Sequence, residues 1–411
     1  MQVIFQNARL LDPEASDLRD GVSVLVEDDR VREVSDRTIA ASGAVTFDLG
    51  GRVLMPGLID AHIHVYLSEV DIGRLAEMPM SLMAARAGPL MRAMLDRGFT
   101  TVRDTGGADW GIREAVETGE MTGPRLFIAG RAMSQTGGHG DFRLRTEGGE
   151  TCQCCSGVAQ ISRIVDGVPE MLRAVRDELR KGADHIKIMV SGGVASPRDP
   201  LDATQFTREE ISAAVGEATA WGTYVASHAY GADAIRRAVE CGVRTIEHGN
   251  FLDAETAKLM RERGAFLVPT LVAYDAMKRR GRDLGLPAVS LEKNDRVLAA
   301  GLRSLEIAKQ AGVPVAYGSD LLGKLQNDQS REFLIRGEAM TPIEVIRSAT
   351  TVNAQLLRRE GVLGAIRPGA FADLLVVEGN PLRDLSLFQD QGAHLSVIMK
   401  GGRFHKNALQ R

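Results

Sequence analysis

Residues 56–64, PGLIDAHIH, set an apolar run directly before two histidines spaced two apart. Pro56 and Gly57 interrupt whatever precedes them, and Leu58, Ile59 and Ala61 suit a buried strand. In a strand, residues i and i+2 point to one face, so His62 and His64 can reach a single ion. The same form recurs downstream in FTTVRDTGG, RLFIAG, HIKIMVSGG, TYVASHAYG, TIEHGN, FLVPTL and VPVAYGSD. Between several of these runs lie amphipathic stretches such as PEMLRAVRDELRKGA, TREEISAAVGEATAWG and LDAETAKLMRERGA, the last with a glycine stop. Eight strand candidates alternating with helices predict an α/β architecture, a (β/α)8 TIM barrel over residues 56–365. A doubly wound open sheet is the alternative, but no G-x-G-x-x-G follows the first strand, and eight units favour closure.

Outward from this middle, both chain ends change style. Residues 1–55 alternate at period two in QVIFQNARLL, GVSVLVEDD, RVREVS and AVTFDLGG, broken by Asp-Asp and Gly-Gly. After Pro368, ADLLVVEGNP and HLSVIMKGGRFHK repeat that pattern. The expectation is one small β-sandwich domain built from residues 1–55 and 366–411. Two unrelated hairpins capping a larger domain are the competing picture.

Composition narrows the function classes. Lys and Arg number 50 and Asp and Glu 54, leaving a net charge of −4 over 411 residues. That balance gives no electrostatic reason to expect nucleic acid or an anionic membrane as partner. With 44% hydrophobic and 25% charged residues the chain is not a disordered one. No run of about 18 apolar residues exists, so a membrane-spanning helix is not expected. The start, MQVIFQNARLLDPEAS, lacks the basic and apolar regions of a secretory signal. Of four cysteines, Cys152, Cys154 and Cys155 crowd into TCQCC, while Cys241 in AVECGV reads as helical core. C-x-C-C is too compressed for a zinc knuckle, and the clustering speaks against a disulfide scaffold, so a reducing cytoplasm is the expected location.

The chemistry-bearing residues gather at strand ends. Besides His62 and His64, His228 ends YVASH, His248 ends TIEH and Asp320 ends VAYGSD. In a barrel these ends converge on the face where such folds react. Imidazole and carboxylate donors together suit zinc or a similar divalent ion. Lys187, inside the apolar run HIKIMVSGG, must lose its charge or find a partner. One reading is a salt bridge to Asp184 or Asp320. The other is carbamylation, which turns a neutral amine and carbon dioxide into a carboxylate able to bridge two metals.

With these residues in view, the sequence resembles the amidohydrolase superfamily across essentially its whole length. PGLIDAHIH, the strand lysine, two later strand-end histidines and the final GSD carry the likeness. The resemblance implies a binuclear metal site, zinc by expectation, bridged by a carbamate on Lys187. It implies that His62, His64 and Asp320 hold one ion and that His228 and His248 hold the other. It further implies amide hydrolysis by a metal-bridging hydroxide whose proton Asp320 takes.

A narrower likeness lies in GGADW, SQTGGHGDFR, IKIMVSGGVASPRDP, SHAYG and RTIEHGNFLD. These are similar to the metal-dependent carboxypeptidase and Xaa-Pro dipeptidase branch, near the ochratoxin-hydrolysing amidohydrolases. That likeness implies that His139 polarises the scissile carbonyl and Tyr230 binds the substrate carboxylate. It also implies a small-molecule substrate, a dipeptide or N-acyl amino acid, and assembly into a homo-oligomer. The residues agree, since His139 follows two glycines and Tyr230 lies two beyond His228. A cyclic-amide or imidazolone hydrolase, or a deaminase, of the same superfamily is the competing function, and Lys187 argues against it. The loop residues 66–80 and 273–290 show no pattern that defines a pocket.

Overall fold

The computed structural model describes residues 2–146, 160–196 and 198–409. The TCQCC cluster lies outside the described residues. Five strands open the chain: β1 (Gln2–Leu11), β2 (Leu18–Glu27), β3 (Arg30–Ser35), β4 (Val45–Asp48) and β5 (Val53–Pro56). The middle contributes β6 (Leu58–Ile63), β7 (Phe99–Asp104), β8 (Arg125–Ile128), β9 (Ala132–Ser134), β10 (Ser162–Ile164), β11 (Ile186–Met189), β12 (Val225–Gly231), β13 (Thr245–Phe251) and β14 (Phe266–Val268). Three more close the chain: β15 (Leu374–Val377), β16 (Leu395–Lys400) and β17 (Arg403–Asn407). The chain divides into two compact units, one of Met1–Asp60, Met91–Val102 and Ser330–Arg411, the other of Ala61–Leu90 and Arg103–Gln329.

In the first unit, strands from both chain ends join one sheet in the order β17-β16-β15-β5-β1-β2-β3, with β4 also on β1. The seam is β15 against β5, antiparallel, with Leu374 opposite Pro56 and Val377 opposite Val53. Two independent hairpins could not produce that pairing. The hydrogen-bonded path is continuous, where a sandwich implies two sheets. Its continuity comes from β1, which shifts register around Ala8, pairing β2 on one edge and β4 and then β5 on the other. Alternating side chains of β1, β2, β15 and β16 (Val3, Phe5, Val24, Val26, Leu374, Val376, Val397 and Met399) fill one apolar core. Each such burial contributes about 1.5–3 kcal/mol.

The second unit is mixed α/β. Six strands run β10-β9-β11-β12-β13-β14 with parallel pairings throughout. The strands β6-β7-β8 form a separate three-stranded sheet. The helices follow their sequence signals. Gly167–Arg180 starts beyond Asp166, Arg208–Ala220 has a capping box from Thr207 and Glu210, and Ala254–Glu262 is capped by Asp253. Seven of the eight expected strands are present. The eighth run, VPVAYGSD, is extended but forms only an isolated parallel bridge, Val315 to Leu267. Its further backbone bonds include Leu267 N to Pro314 O, Ala316 N to Leu267 O and Ala61 N to Tyr317 O, at 3.0, 2.8 and 2.8 Å.

Two sequence expectations need correction. Parts of 66–80 and 273–290 are helical, since Ile72–Ala76, Leu271–Arg280 and Ala288–Ala311 form helices. Cys241 is a half-exposed C-cap with its thiol on Arg208 O at 3.7 Å, because the helix Ala232–Glu240 ends just before it. Among the described residues no helix is long and apolar enough to cross a membrane.

Candidate metal centre

Eight residues singled out by the sequence line one cavity: His62, His64, His139, Lys187, His228, Tyr230, His248 and Asp320. Strand geometry assembles them. His62 lies in β6 with His64 just past its end, Lys187 in β11, His228 and Tyr230 two apart in β12, and His248 in β13. Parallel register sets Met189 beside His228 and Ala229 beside His248. The register then slips between Ala229 and Gly231, a bulge that re-aims His248.

The backbone here is strained. His248, Thr270 and Asp320 take φ values of 75°, 47° and 49°, a left-handed region that costs such residues about 1–3 kcal/mol each. Asp320 is held there by its N–H donating to His62 O at 2.8 Å. Nearby, a Cβ on Gly318 would lie 2.8 Å from His62 Cβ and 2.4 Å from Val268 Cγ1, so only glycine lets this segment approach β6.

The donor set fits a cation. His62, His248 and Asp320 each offer a ligand atom, and these lie within 4.8 Å of one another. His62 Nε2 is 3.4 Å and His64 Nε2 3.2 Å from Asp320 Oδ1. The opposite ring nitrogens are occupied: His62 Nδ1 meets Glu247 Oε2 at 2.8 Å and His64 Nδ1 meets Gly106 O at 2.8 Å. An acceptor at Nδ1 places the proton there and leaves Nε2 as the lone pair, the arrangement of a metal-ligating histidine. For His228 the roles reverse, since Nε2 meets Gly192 O at 3.0 Å and Nδ1 is left for an ion. His248 Nδ1 is 2.8 Å from both Thr270 Oγ1 and Tyr274 Oη.

Electrostatics match. Burial pushes the His228 and His248 imidazoles well below the ordinary histidine range, keeping both neutral. Burial opposes the charge on Asp320, but the His62 and His64 rings beside it outweigh that and hold its carboxyl well below the usual range.

Lys187 is 1% exposed, and burial brings its amine down to about 8. Asp184 is not its partner, being taken by Arg113 at 3.2 Å and by Ile128 N at 2.8 Å. Among the described residues Lys187 makes no ion pair within 4.0 Å, Asp320 included. Its charge is met at longer range, by Glu247, Asp320 and Asp104.

His139 and Tyr230 flank the donors. The His139 ring stacks on His228 with centroids 4.1 Å apart. Tyr230 stacks on His248 at 5.2 Å, and its hydroxyl is 3.0 Å from that of Tyr274.

This chain matches the amidohydrolase family over residues 53–403. It belongs to that family. It is 34% identical to the ochratoxinase of Aspergillus niger over 370 residues, 86% of this chain and 76% of that one. A crystal structure of another amidohydrolase superposes with a TM-score of 0.98 at 52% identity, covering all of both chains. A prolidase solved with N-methylphosphonate-L-proline superposes at 0.97 with 49% identity, over 99% of this chain and all of that one. Like its relatives, the protein is a hydrolase acting on amide bonds.

The amidohydrolase site has members that the sequence reading passed over. Glu247 is wholly buried, joined to Arg103 at 2.7 Å, to Thr245 Oγ1 at 2.6 Å and to His62. Asp104 accepts from Val65, Gly106 and Ala108 N–H groups at 2.7–3.1 Å, fixing the turn after His64. Their signal was present, since a charge inside an apolar strand marks Arg103 and Glu247 as it marks Lys187. Tyr274 carried none, because it falls where no pocket pattern was legible.

Proposed function

We propose that this amidohydrolase cleaves the amide bond to a C-terminal amino acid. Xaa-Pro dipeptides and N-acyl amino acids are its substrate class, with ochratoxin-type amides as close variants. What carries the reading is that His139 and Tyr230 share one cavity with the donor cluster. The prolidase neighbour, solved with an N-substituted L-proline, supports it.

Two divalent ions, zinc by donor type, would be held by His62, His64, His228, His248, Asp320 and a carbamate on Lys187. When bound, they supply a Lewis acid and a water ionised near pH 7. Asp320 takes the proton of the attacking water and delivers it to the leaving nitrogen. His139 faces the scissile carbonyl oxygen and stabilises the charge that develops there. Tyr230 donates its hydroxyl to the substrate carboxylate and so fixes which bond is cut.

The catalytic domain is read as a closed (β/α)8 barrel on residues 56–365, with residues 1–55 and 366–411 as the second domain. A ring of backbone bonds supports closure. Thr105 N to Ile63 O, Ala129 N to Asp104 O and Asp184 N to Ile128 O link the early strands. The bonds of Pro314, Ala316 and Tyr317 to β14 and Ala61 span the remaining gap.

The test is a library of dipeptides and N-acyl amino acids, offered to purified enzyme of measured metal content. Release of the C-terminal amino acid is expected. Turnover confined to cyclic amides or amidines overturns the proposal.

A further inference from the structure

His139 sits on a glycine-rich loop, yet its ring is held on three sides. One face lies on His228. On another side the chain runs so close that a Cβ on Gly193 would be 2.0 Å from His139 Cε1. Nδ1 is 2.6 Å from Ser196 Oγ, which in turn donates to Asp199 Oδ1. Ser196 and Asp199 are 2% and 4% exposed, so water does not compete for these bonds.

The proton count decides the direction. An ionised carboxylate only accepts, so the single Ser196 proton goes to Asp199. Ser196 Oγ must then accept from Nδ1–H of His139, which leaves Nε2 as the atom offered to a ligand. Asp199 is itself fixed, its Oδ2 accepting from Gly193 N at 3.0 Å and from Gln205 Nε2 at 3.4 Å. Gln205 Oε1 accepts the backbone N–H of His139 at 3.0 Å, tying both ends of the chain of bonds together. Lys293, from the helix Ala288–Ala311, donates to the carbonyls of Gly193, Ser196 and Asp199 at 3.0, 2.7 and 2.5 Å. An ammonium whose three donors are all spent on one loop is a clamp for that loop.

We propose that Ser196 and Asp199 form a positioning relay, held in place by Lys293, that sets the orientation of His139 and presents its Nε2 to the substrate carbonyl. The proposal rests on the reading of His139 given above. None of the three residues touches the reacting atoms. Their effect must pass through His139 and appear in the chemical step rather than in binding.

The experiment is a double-variant cycle on metal-loaded enzyme with an Xaa-Pro dipeptide. Ser196→Ala should lower kcat by about 10–100-fold, the usual effect of removing such a supporting bond, with KM and metal content little changed. Ser196→Thr, which keeps the hydroxyl, should restore most of kcat. In a His139→Ala background, adding Ser196→Ala should change kcat by less than about twofold, as expected for groups acting as one unit. A native kcat in Ser196→Ala beside a crippled His139→Ala overturns the relay alone. So do losses that multiply in the double variant. A native kcat in His139→Ala overturns the role of His139, and the relay with it.

Discussion

Replacing Arg103 by methionine isolates the buried charge beneath the donor cluster. Arg103 and Glu247 are both fully buried and 2.7 Å apart, and Arg103 also donates to Ala61 O at 2.5 Å and Thr245 Oγ1 at 3.1 Å. Methionine keeps the apolar stem and removes every donor. Glu247 is then a buried carboxylate left with His62 Nδ1 and Thr245 Oγ1. Breaking such a pair from one side costs about 3–5 kcal/mol. At a urea slope of about 3 kcal/mol/M the unfolding midpoint falls by roughly 1–1.7 M. Removing both charges with Arg103→Met and Glu247→Leu should recover most of that loss, because a desolvated pair is worth little against well-packed apolar groups. The pH limb has a definite sign. Burial opposes the Glu247 charge, but Arg103 and the His62 bond outweigh it and hold the folded carboxyl well below the glutamate range. The pair's contribution is therefore present above the ordinary glutamate value and lost as pH falls through the lowered one. In Arg103→Met that acid limb moves to higher pH. A midpoint within about 0.3 M of the parent, under about 1 kcal/mol, refutes this account. A double variant as weak as the single one does so too.

Lys187→Ala should lose metal content and turnover together, with partial return on adding acetate; two retained metals and native turnover remove the carbamate. Because the Lys187 amine lies at about 8, bicarbonate-dependent metal uptake by the stripped enzyme should strengthen as pH rises through that value. Asp320→Asn keeps an oxygen donor but cannot accept a proton, so turnover should vanish while much of the metal stays, and full activity removes Asp320 from the reaction. Tyr230→Phe should cost about ten- to a hundredfold in kcat/KM on a free-acid substrate, from a charge-assisted bond of about 1.5–3 kcal/mol. It should cost almost nothing on the matching amide.

Local periodicity carried much of this site. Period two placed His62 with His64, and His228 with Tyr230, on common faces, and a charge in an apolar strand singled out Lys187. Arg103 and Glu247 obey that last rule but sit in runs read for other features, FTTVRDTGG as a strand and TIEH for His248. What local pattern cannot supply is pairing over distance. The seam of β15 on β5 and the bond of Ala61 to Tyr317 join segments far apart in sequence. Nor does Thr270, a β-branched residue, advertise its left-handed backbone; tertiary bonds to His248 accompany it there. Residues 273–290 read as loop although the helix Leu271–Arg280 enters them, because the apolar positions of that helix surround it, six of them being buried.

The most direct test of the central claim is kcat/KM on one dipeptide as its free acid and as its C-terminal amide, using enzyme of measured metal content. Loss of the carboxylate should lower kcat/KM by about ten- to a hundredfold, one charge-assisted hydrogen bond at about 1.4 kcal/mol per decade. Equal rates on acid and amide would contradict recognition of a C-terminal amino acid and leave only a general amide hydrolase.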